Sequence, residues 1–306
     1  DVIAVRTRLG GIFVGTLVLA GATSLPEVLT TISALSKGAP DLAAGNLLGS
    51  NMFNMLLLAV LDMIHPRHRL LRKAALKHAL SGSLAMFMIG LVVFFILADI
   101  DVKVGWVGVD SILLILIYVI AIRFIQNNPL NRTSSAGEPA ELPPGIPSMR
   151  SALIGFFLAT VALIIVTPIM VNSSLEIAEM TGLGSSFIGT TLVALVTSLP
   201  ELVTTITAIK YGAEDMAVGN LFGSNLFNMA ALGLTDIFYL QGRFLGVVDP
   251  VFVLAGLLGL IMTGMGLIGN LARLERRIWF IEVDASLLLI VYFAGMWFLY
   301  MRGAAP

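Results

Sequence analysis

The chain has 306 residues, of which 58% are hydrophobic and 12% charged. A soluble domain carries roughly a quarter charged residues, so the composition excludes an ordinary soluble fold and points to a polytopic helical membrane protein. A formal net charge of −1 gives no reason to expect a nucleic-acid partner, and the absence of cysteine excludes disulfides, thiolate metal sites and a cysteine nucleophile.

The chain opens with DVIAVRTRLGG, without an initiator Met or the layout of a signal peptide; a processed or truncated start is expected. Hydrophobic runs of spanning length follow at residues 11–36, 43–64, 78–98, 104–125, 150–172, 184–211, 216–239, 249–271 and 279–301. Each reads as a membrane helix, nine in all. One segment breaks the series: QNNPLNRTSSAGEPAELPPGIPSM, residues 126–149, is rich in Pro, Ser, Asn and Glu and reads as a flexible linker. It is too short for a folded regulatory domain. It divides the chain into a first half, 1–125, and a second half, 150–306.

The halves repeat. Adding 174 carries Glu27 onto Glu201, Gly45 onto Gly219, Asn54 onto Asn228, Asp62 onto Asp236, Asp110 onto Asp284 and Tyr118 onto Tyr292, with no gap. From Gly15 to Met55, 25 of 41 positions are identical to their counterparts. The second half holds five runs, and the counterpart of its first, 150–172, falls before Asp1. The full protein is therefore expected to have ten helices, five plus five. An odd number per half makes the halves enter the membrane in opposite directions, the inverted repeat of many secondary transporters.

Loop charges give the orientation. Assigned alternately to two sides, fourteen of the eighteen Lys and Arg residues fall on one side; Lys37, Lys103, Arg243 and Arg302 fall on the other. The positive-inside rule makes the richer side cytoplasmic. The linker is then cytoplasmic and the C-terminus outside. The triplet Asn131-Arg132-Thr133 has the form of a glycosylation acceptor, but on that side it would not meet the enzyme.

Two motif pairs fall near mid-membrane. The first is ATSLPE, Ala22–Glu27, with its partner VTSLPE, Val196–Glu201. Pro26 and Pro200 lack an N–H and clash with the carbonyl four residues back, so each helix kinks and frees backbone oxygens. Such oxygens at membrane depth must be satisfied or line a cavity. Thr23 and Ser24 lie one turn before Glu27, as Thr197 and Ser198 precede Glu201. Each kink thus offers a carboxylate, two hydroxyls and carbonyls, all hard oxygen ligands.

The second pair is GNLLGSNMFNM, Gly45–Met55, and GNLFGSNLFNM, Gly219–Met229. Asn46, Ser50 and Asn54 recur every four residues and drift only about 40° per step, so they line one stripe of a helix. Asn220, Ser224 and Asn228 do the same. Asn51 and Asn225 lie just off the stripe. Gly45 and Gly49 allow close approach of another backbone, expected to be the Pro-kinked helix. A pseudo-twofold axis between the halves would set Glu27 against Glu201 and Asn54 against Asn228. Two carboxylates in a low-dielectric pocket repel each other unless a proton or cation intervenes. An oxygen-only set with about two negative charges suits Ca²⁺ better than a transition metal. Na⁺ is of similar size and equally hard, so the two ions would compete for one site. Competition at a site opening to alternate sides is the minimal recipe for an antiporter.

Other polar residues have plainer readings. Asn46, Asn220, Asn51 and Asn225 suit interhelical hydrogen bonding as well as a role at the site. Asp41 and Asp215 read as N-caps. Asp62, Asp236, Asp110 and Asp284 fall near span ends, where water or headgroups would solvate them. His65, His68 and His78 fall in a basic loop and read as a solvated, lipid-facing patch.

At these motifs the chain resembles the sodium/calcium exchanger branch of the cation/calcium antiporter superfamily. That family carries two inverted repeats, each with a G-T-S-L-P-E-like motif and a G-N-x-x-G-S-N-x-x-N/D motif; here they read GATSLPE with GNLLGSNMFN, and VTSLPE with GNLFGSNLFN. The resemblance implies an all-α polytopic fold of two inverted five-helix repeats. It implies exchange of several Na⁺ for one Ca²⁺, both as transported ions, with no cofactor and with the bilayer as the only partner. It implies acidic ligands at Glu27 and Glu201 and amide ligands at Asn54 and Asn228. Hydroxyl contributors would be Thr23, Ser24, Ser50, Thr197, Ser198 and Ser224, and backbone carbonyl ligands Ala20 and Ala194. It also implies that the first and sixth helices slide across a fixed core, the sixth being 150–172 and a little beyond.

The chain departs from the family twice. Some relatives carry Asp where Asn228 stands, so this site has two full charges, not three. Ala22 and Val196 replace a common Gly before the motif Thr. The proton-coupled branch has Glu after G-N-x-x, where this chain has Gly-Ser-Asn. A Na⁺/Ca²⁺ antiporter in a prokaryotic plasma membrane is the leading reading, with Ca²⁺/H⁺ or other cation/proton exchange as the alternative. A channel fits pseudo-symmetric single sites less well. An intramembrane enzyme finds no HExxH or GxSxG motif to carry it.

Overall fold

Helices make up nearly all of the described chain and fall into two sets offset by 174 residues. A computed structural model describes residues 19–64, 75–128, 148–210, 212–272, 277–278 and 281–303. Residues 11–18 of the first predicted span, most of the linker (129–147), His65 and His68 lie outside them.

The first set is α1 (Ala20–Thr23), α2 (Leu25–Ser36), α3 (Pro40–Ile64), α4 (Ala75–Ala98), a hairpin of β1 (Lys103–Val104) and β2 (Val107–Gly108), and α5 (Val109–Asn127). The second begins with α6 (Met149–Thr181) and α7 (Ser185–Ile188), then a π-helical turn at Gly189–Val193. It continues with α8 (Ala194–Thr197), α9 (Leu199–Lys210), α10 (Glu214–Phe238), α11 (Phe244–Val247), α12 (Val251–Ala272), β3 (Arg277–Ile278), β4 (Ile281–Glu282) and α13 (Val283–Gly303). Helices α8, α9 and α10 reproduce α1, α2 and α3 end for end at the repeat offset. The hairpins repeat in register too, with Lys103 opposite Gly108 as Arg277 is opposite Glu282.

The helices are broken where the sequence places the proline kinks. Ser24 (φ −83°, ψ 9°) separates α1 from α2, and Ser198 (φ −87°, ψ 9°) separates α8 from α9. Pro26 and Pro200 then fall in the first turn of a new helix, where no N–H is needed. Each break places a Glu in that same first turn, where the helix dipole favours negative charge.

Helices α3 and α10 form the centre and are buried over most of their length. They run antiparallel, since Asn54 pairs with Asn225 while the earlier Asn51 pairs with the later Asn228. Helices α4 and α12 also run antiparallel, with Gly82 beside Leu267 and Gly90 beside Leu260. Equivalent elements in opposite directions make the repeats inverted. Gly49 sits where α3 meets the π turn: a Cβ there would lie 2.3 Å from the Thr190 carbonyl oxygen. Helix α6 stands apart. Its 33 residues bury only Thr167, Val171, Ser174 and Ala178, a narrow stripe packed mainly on α2.

Among the described residues, seven helical stretches are long and apolar enough to cross a membrane. Helix α10 is not one of them, although it matches α3 in length at 25 residues; its Asn, Ser and Thr side chains and Asp236 lower its apolarity and are turned inward. Helix α6 runs nine residues past its predicted end at 172. Its polar last turns, SSLEIAEMT, stay helical until Gly182 (φ 70°) ends them. Helices α5 and α13 start later than expected because a hairpin precedes each.

Several plain readings of charged residues are corrected. Asp236 and Asp110 are buried, not solvated. Asp236 accepts from the Gly108 N–H (2.6 Å) and the Phe244 N–H (2.5 Å). Asp110 accepts from Arg243 at 2.7 Å, and Arg243 also pairs with Asp99. The β1–β2 hairpin and α11 fold over this end and replace water with backbone donors and one buried guanidinium. Asp62 is likewise buried, and Asp284 is partly so. Asp41 and Asp215 lie one residue inside their helices and are not caps; Asp41 accepts from the Asp249 N–H at 3.1 Å. His78 is fully buried in α4, 3.8 Å from Asp215, not part of a solvated patch.

Candidate ion-binding site

The two helix breaks and the two central helices meet at a cluster of buried polar side chains. Glu27 and Glu201 are both fully buried. Each carboxylate is gripped through one oxygen by two serines, one from each half. Ser50 (3.4 Å) and Ser198 (3.1 Å) donate to Glu27 Oε1. Ser224 (3.2 Å) and Ser24 (3.0 Å) donate to Glu201 Oε1. This crosswise exchange is what a twofold axis produces: each half completes the other's site.

The motif asparagines divide into two kinds. Asn46 and Asn220 are fully engaged. The Asn46 amide donates to the Glu27 carbonyl (3.0 Å) and Thr31 (3.3 Å), and its oxygen accepts from Thr197 at 2.9 Å. Asn220 donates to Thr204 (3.1 Å) and Thr205 (3.4 Å) and accepts from Thr23 at 3.3 Å. These bonds pin each helix break to the opposite half, so Thr23 and Thr197 are committed to the scaffold. Ala20 and Ala194 carbonyls accept from the Ser24 and Ser198 N–H groups at 2.9 and 3.1 Å. The proline breaks therefore leave these two oxygens engaged.

Asn54 and Asn228 differ. Asn54 Nδ2 donates to Asn225 Oδ1 at 3.0 Å, and Asn228 Nδ2 donates to Asn51 Oδ1 at 3.1 Å. With their NH₂ groups held, their carbonyl oxygens are left over. Four buried oxygens of the cluster have no hydrogen-bond partner among the described residues: Glu27 Oε2, Glu201 Oε2, Asn54 Oδ1 and Asn228 Oδ1. Buried polar atoms are nearly always satisfied, and each orphan carries a desolvation cost. An acceptor-only set with two carboxylates calls for a positive partner, a proton or a hard cation. The four free oxygens would supply part of the shell of 6–8 oxygens that Ca²⁺ takes. No group of three or more His, Cys, Asp or Glu side chains occurs among the described residues.

The sequence does not single out Thr263. It lies on α12, accepts from Asn225 Nδ2 at 3.4 Å and donates to the Gly259 carbonyl at 2.7 Å. Nothing in its local sequence marks it; it is found only through its contact with Asn225.

The chain matches the family described as sodium/calcium exchanger protein over residues 1–126 and 151–301. It is 30% identical to the inner membrane protein YrbG of Escherichia coli over 229 residues, which is 73% of this chain and 68% of that protein. It is 39% identical to the sodium/calcium exchanger MaX1 of Methanosarcina acetivorans over 113 residues, 36% of this chain and 32% of that one. Its fold is similar to that of the sodium-calcium exchanger NCX_Mj, with a TM-score of 0.61 at 24% identity over 97% of this chain and 89% of that one. By its match along both repeats, the chain belongs to the sodium/calcium exchanger family of membrane antiporters in the cation/calcium superfamily.

Proposed function

We propose that this protein exchanges Na⁺ for Ca²⁺ across a membrane by alternating access at the Glu27–Glu201 site. The observation that carries the reading is the set of four orphaned oxygens, two on carboxylates and two on amides, buried between inverted halves. Glu27 and Glu201 bind the ion and balance its charge. Asn54 and Asn228 complete the shell, and Ser24, Ser50, Ser198 and Ser224 hold the carboxylates in place. One Ca²⁺ neutralises both carboxylates, and so do two Na⁺; the ions compete because each satisfies the same oxygens. The similarity to MaX1, itself named a sodium/calcium exchanger, supports the ion pair. The loop-charge asymmetry supports a cytoplasmic linker and an outside C-terminus in a prokaryotic plasma membrane.

Radiolabelled Ca²⁺ binding to the purified full-length protein tests the site. Binding is expected to saturate, to be displaced by Na⁺, and to be lost in Glu27→Gln and Glu201→Gln variants that remain folded by size-exclusion chromatography. Retained binding in folded Glu201→Gln protein would remove Glu201 from the site. Displacement by protons but not by Na⁺ would move the protein to cation/proton exchange.

A further inference from the structure

The repeat that builds the site is broken at one polar contact. In the second half, Asn225 Nδ2 donates to Thr263 Oγ1 (3.4 Å) and to the Asn51 carbonyl (3.3 Å). In the first half, the position equivalent to Thr263 is Ile89, which is buried and has no polar side-chain atom. Correspondingly, Asn51 Nδ2 is buried without a partner among the described residues.

The polarity of this chain of bonds has a direction. Thr263 commits its proton to the Gly259 carbonyl, so toward Asn225 it can only accept. Asn225 must then point its NH₂ at Thr263 and its carbonyl oxygen at Asn54. That oxygen accepts from Asn54 Nδ2, which turns Asn54 Oδ1 the other way, into the set of orphaned oxygens. Reversing any amide in the series would oppose two donors or two acceptors. On the other side, Asn51 Oδ1 accepts from Asn228 Nδ2, but no acceptor among the described residues fixes which way Asn51 is turned.

We propose that Thr263 is a positioning residue for ion binding: with the Asn51 main-chain carbonyl, which accepts from the same NH₂ group, it sets the amide orientation of Asn225 and, through it, presents the Asn54 carbonyl oxygen to the cation. The two halves of a nearly symmetric site are thus unequally preorganised, with Asn54 fixed and Asn228 free of that constraint. The inference rests on the cation site proposed above.

The test measures Ca²⁺ binding and saturating Ca²⁺ exchange by the full-length protein. Thr263→Val keeps the shape and removes the acceptor; Ca²⁺ affinity is expected to fall about three- to tenfold, the scale of one buried hydrogen bond, with the maximal exchange rate unchanged. Thr263→Ala gives the same shift, and Thr263→Ser restores wild-type affinity. In an Asn54→Asp background the side chain presents an oxygen whichever way it turns and loses its donor to Asn225; Asn225 no longer orients it, so Thr263→Val no longer lowers affinity there. A merely structural contribution would persist in that background, and its persistence overturns the proposal. So does wild-type affinity in Thr263→Val, or a Thr263→Ser variant as weak as Thr263→Val. If wild-type protein binds no Ca²⁺, the site reading fails and this inference falls with it, an outcome distinct from the others.

Discussion

The central chemistry rests on a few atoms whose roles follow from what already occupies them. Glu27 and Glu201 each give one oxygen to serines and keep one free. Because Ser24 serves Glu201 and Ser198 serves Glu27, Ser24→Ala and Ser198→Ala should act through the opposite half. Each removes a hydrogen bond to a charged group, of order 1.5–3 kcal/mol, so Ca²⁺ affinity measured by isotope binding should weaken by about tenfold or more in both variants, and to a similar degree. Loss in one and none in the other would deny the crosswise arrangement. The sequence reveals much at this scale: period-four spacing puts Asn46, Ser50 and Asn54 on one stripe, and the Pro-Glu pairs mark the carboxylates. It does not reveal which oxygens stay free. That depends on contacts between positions 171 to 197 residues apart, such as Asn54 with Asn225 and Thr23 with Asn220, which no local periodicity encodes.

Elements hold these atoms by close backbone packing and by clamps at their ends. Gly49 faces Thr190 with no room for a methyl group. Gly49→Ala should lower stability by about 1–3 kcal/mol through overpacking, seen as earlier thermal unfolding in detergent. Gly155 on α6, where an added methyl group would meet nothing within 4 Å, is the control; Gly155→Ala should be neutral or stabilise by up to about 1 kcal/mol, since Ala is the better helix former. At the hairpin end, Arg243→Met would leave Asp110 buried and unpaired. The expected loss is about 3–5 kcal/mol, and an added Asp110→Asn should recover part of it; no recovery would mean that the pair is not coupled. The hairpins and this clamp are not legible in the sequence. Asp110 and Asp236 stand at span ends, where water is the natural expectation, and only the folding of β1–β2 and α11 over them excludes it. His78 escapes for a similar reason: its position beside a basic stretch suggests a loop, but α4 begins at Ala75 and carries it into the core.

The whole molecule is an antiparallel pair of similar halves, and this is the most legible level of all. An offset of 174 residues found in the letters reappears in the ends of α1, α2 and α3 against α8, α9 and α10 and in the register of both hairpins. Inversion follows from pairing Asn54 with Asn225 and Asn51 with Asn228. A site shared between inverted halves presents the same ligands to either face, which the proposed alternating-access exchange requires. The most direct test uses the full-length protein in liposomes loaded with Na⁺ and diluted into Na⁺-free buffer at clamped pH, with radiolabelled Ca²⁺ outside. Ca²⁺ uptake that requires the Na⁺ gradient and vanishes in Glu27→Gln is expected. Uptake that ignores Na⁺ and follows an imposed pH gradient would contradict Na⁺/Ca²⁺ exchange.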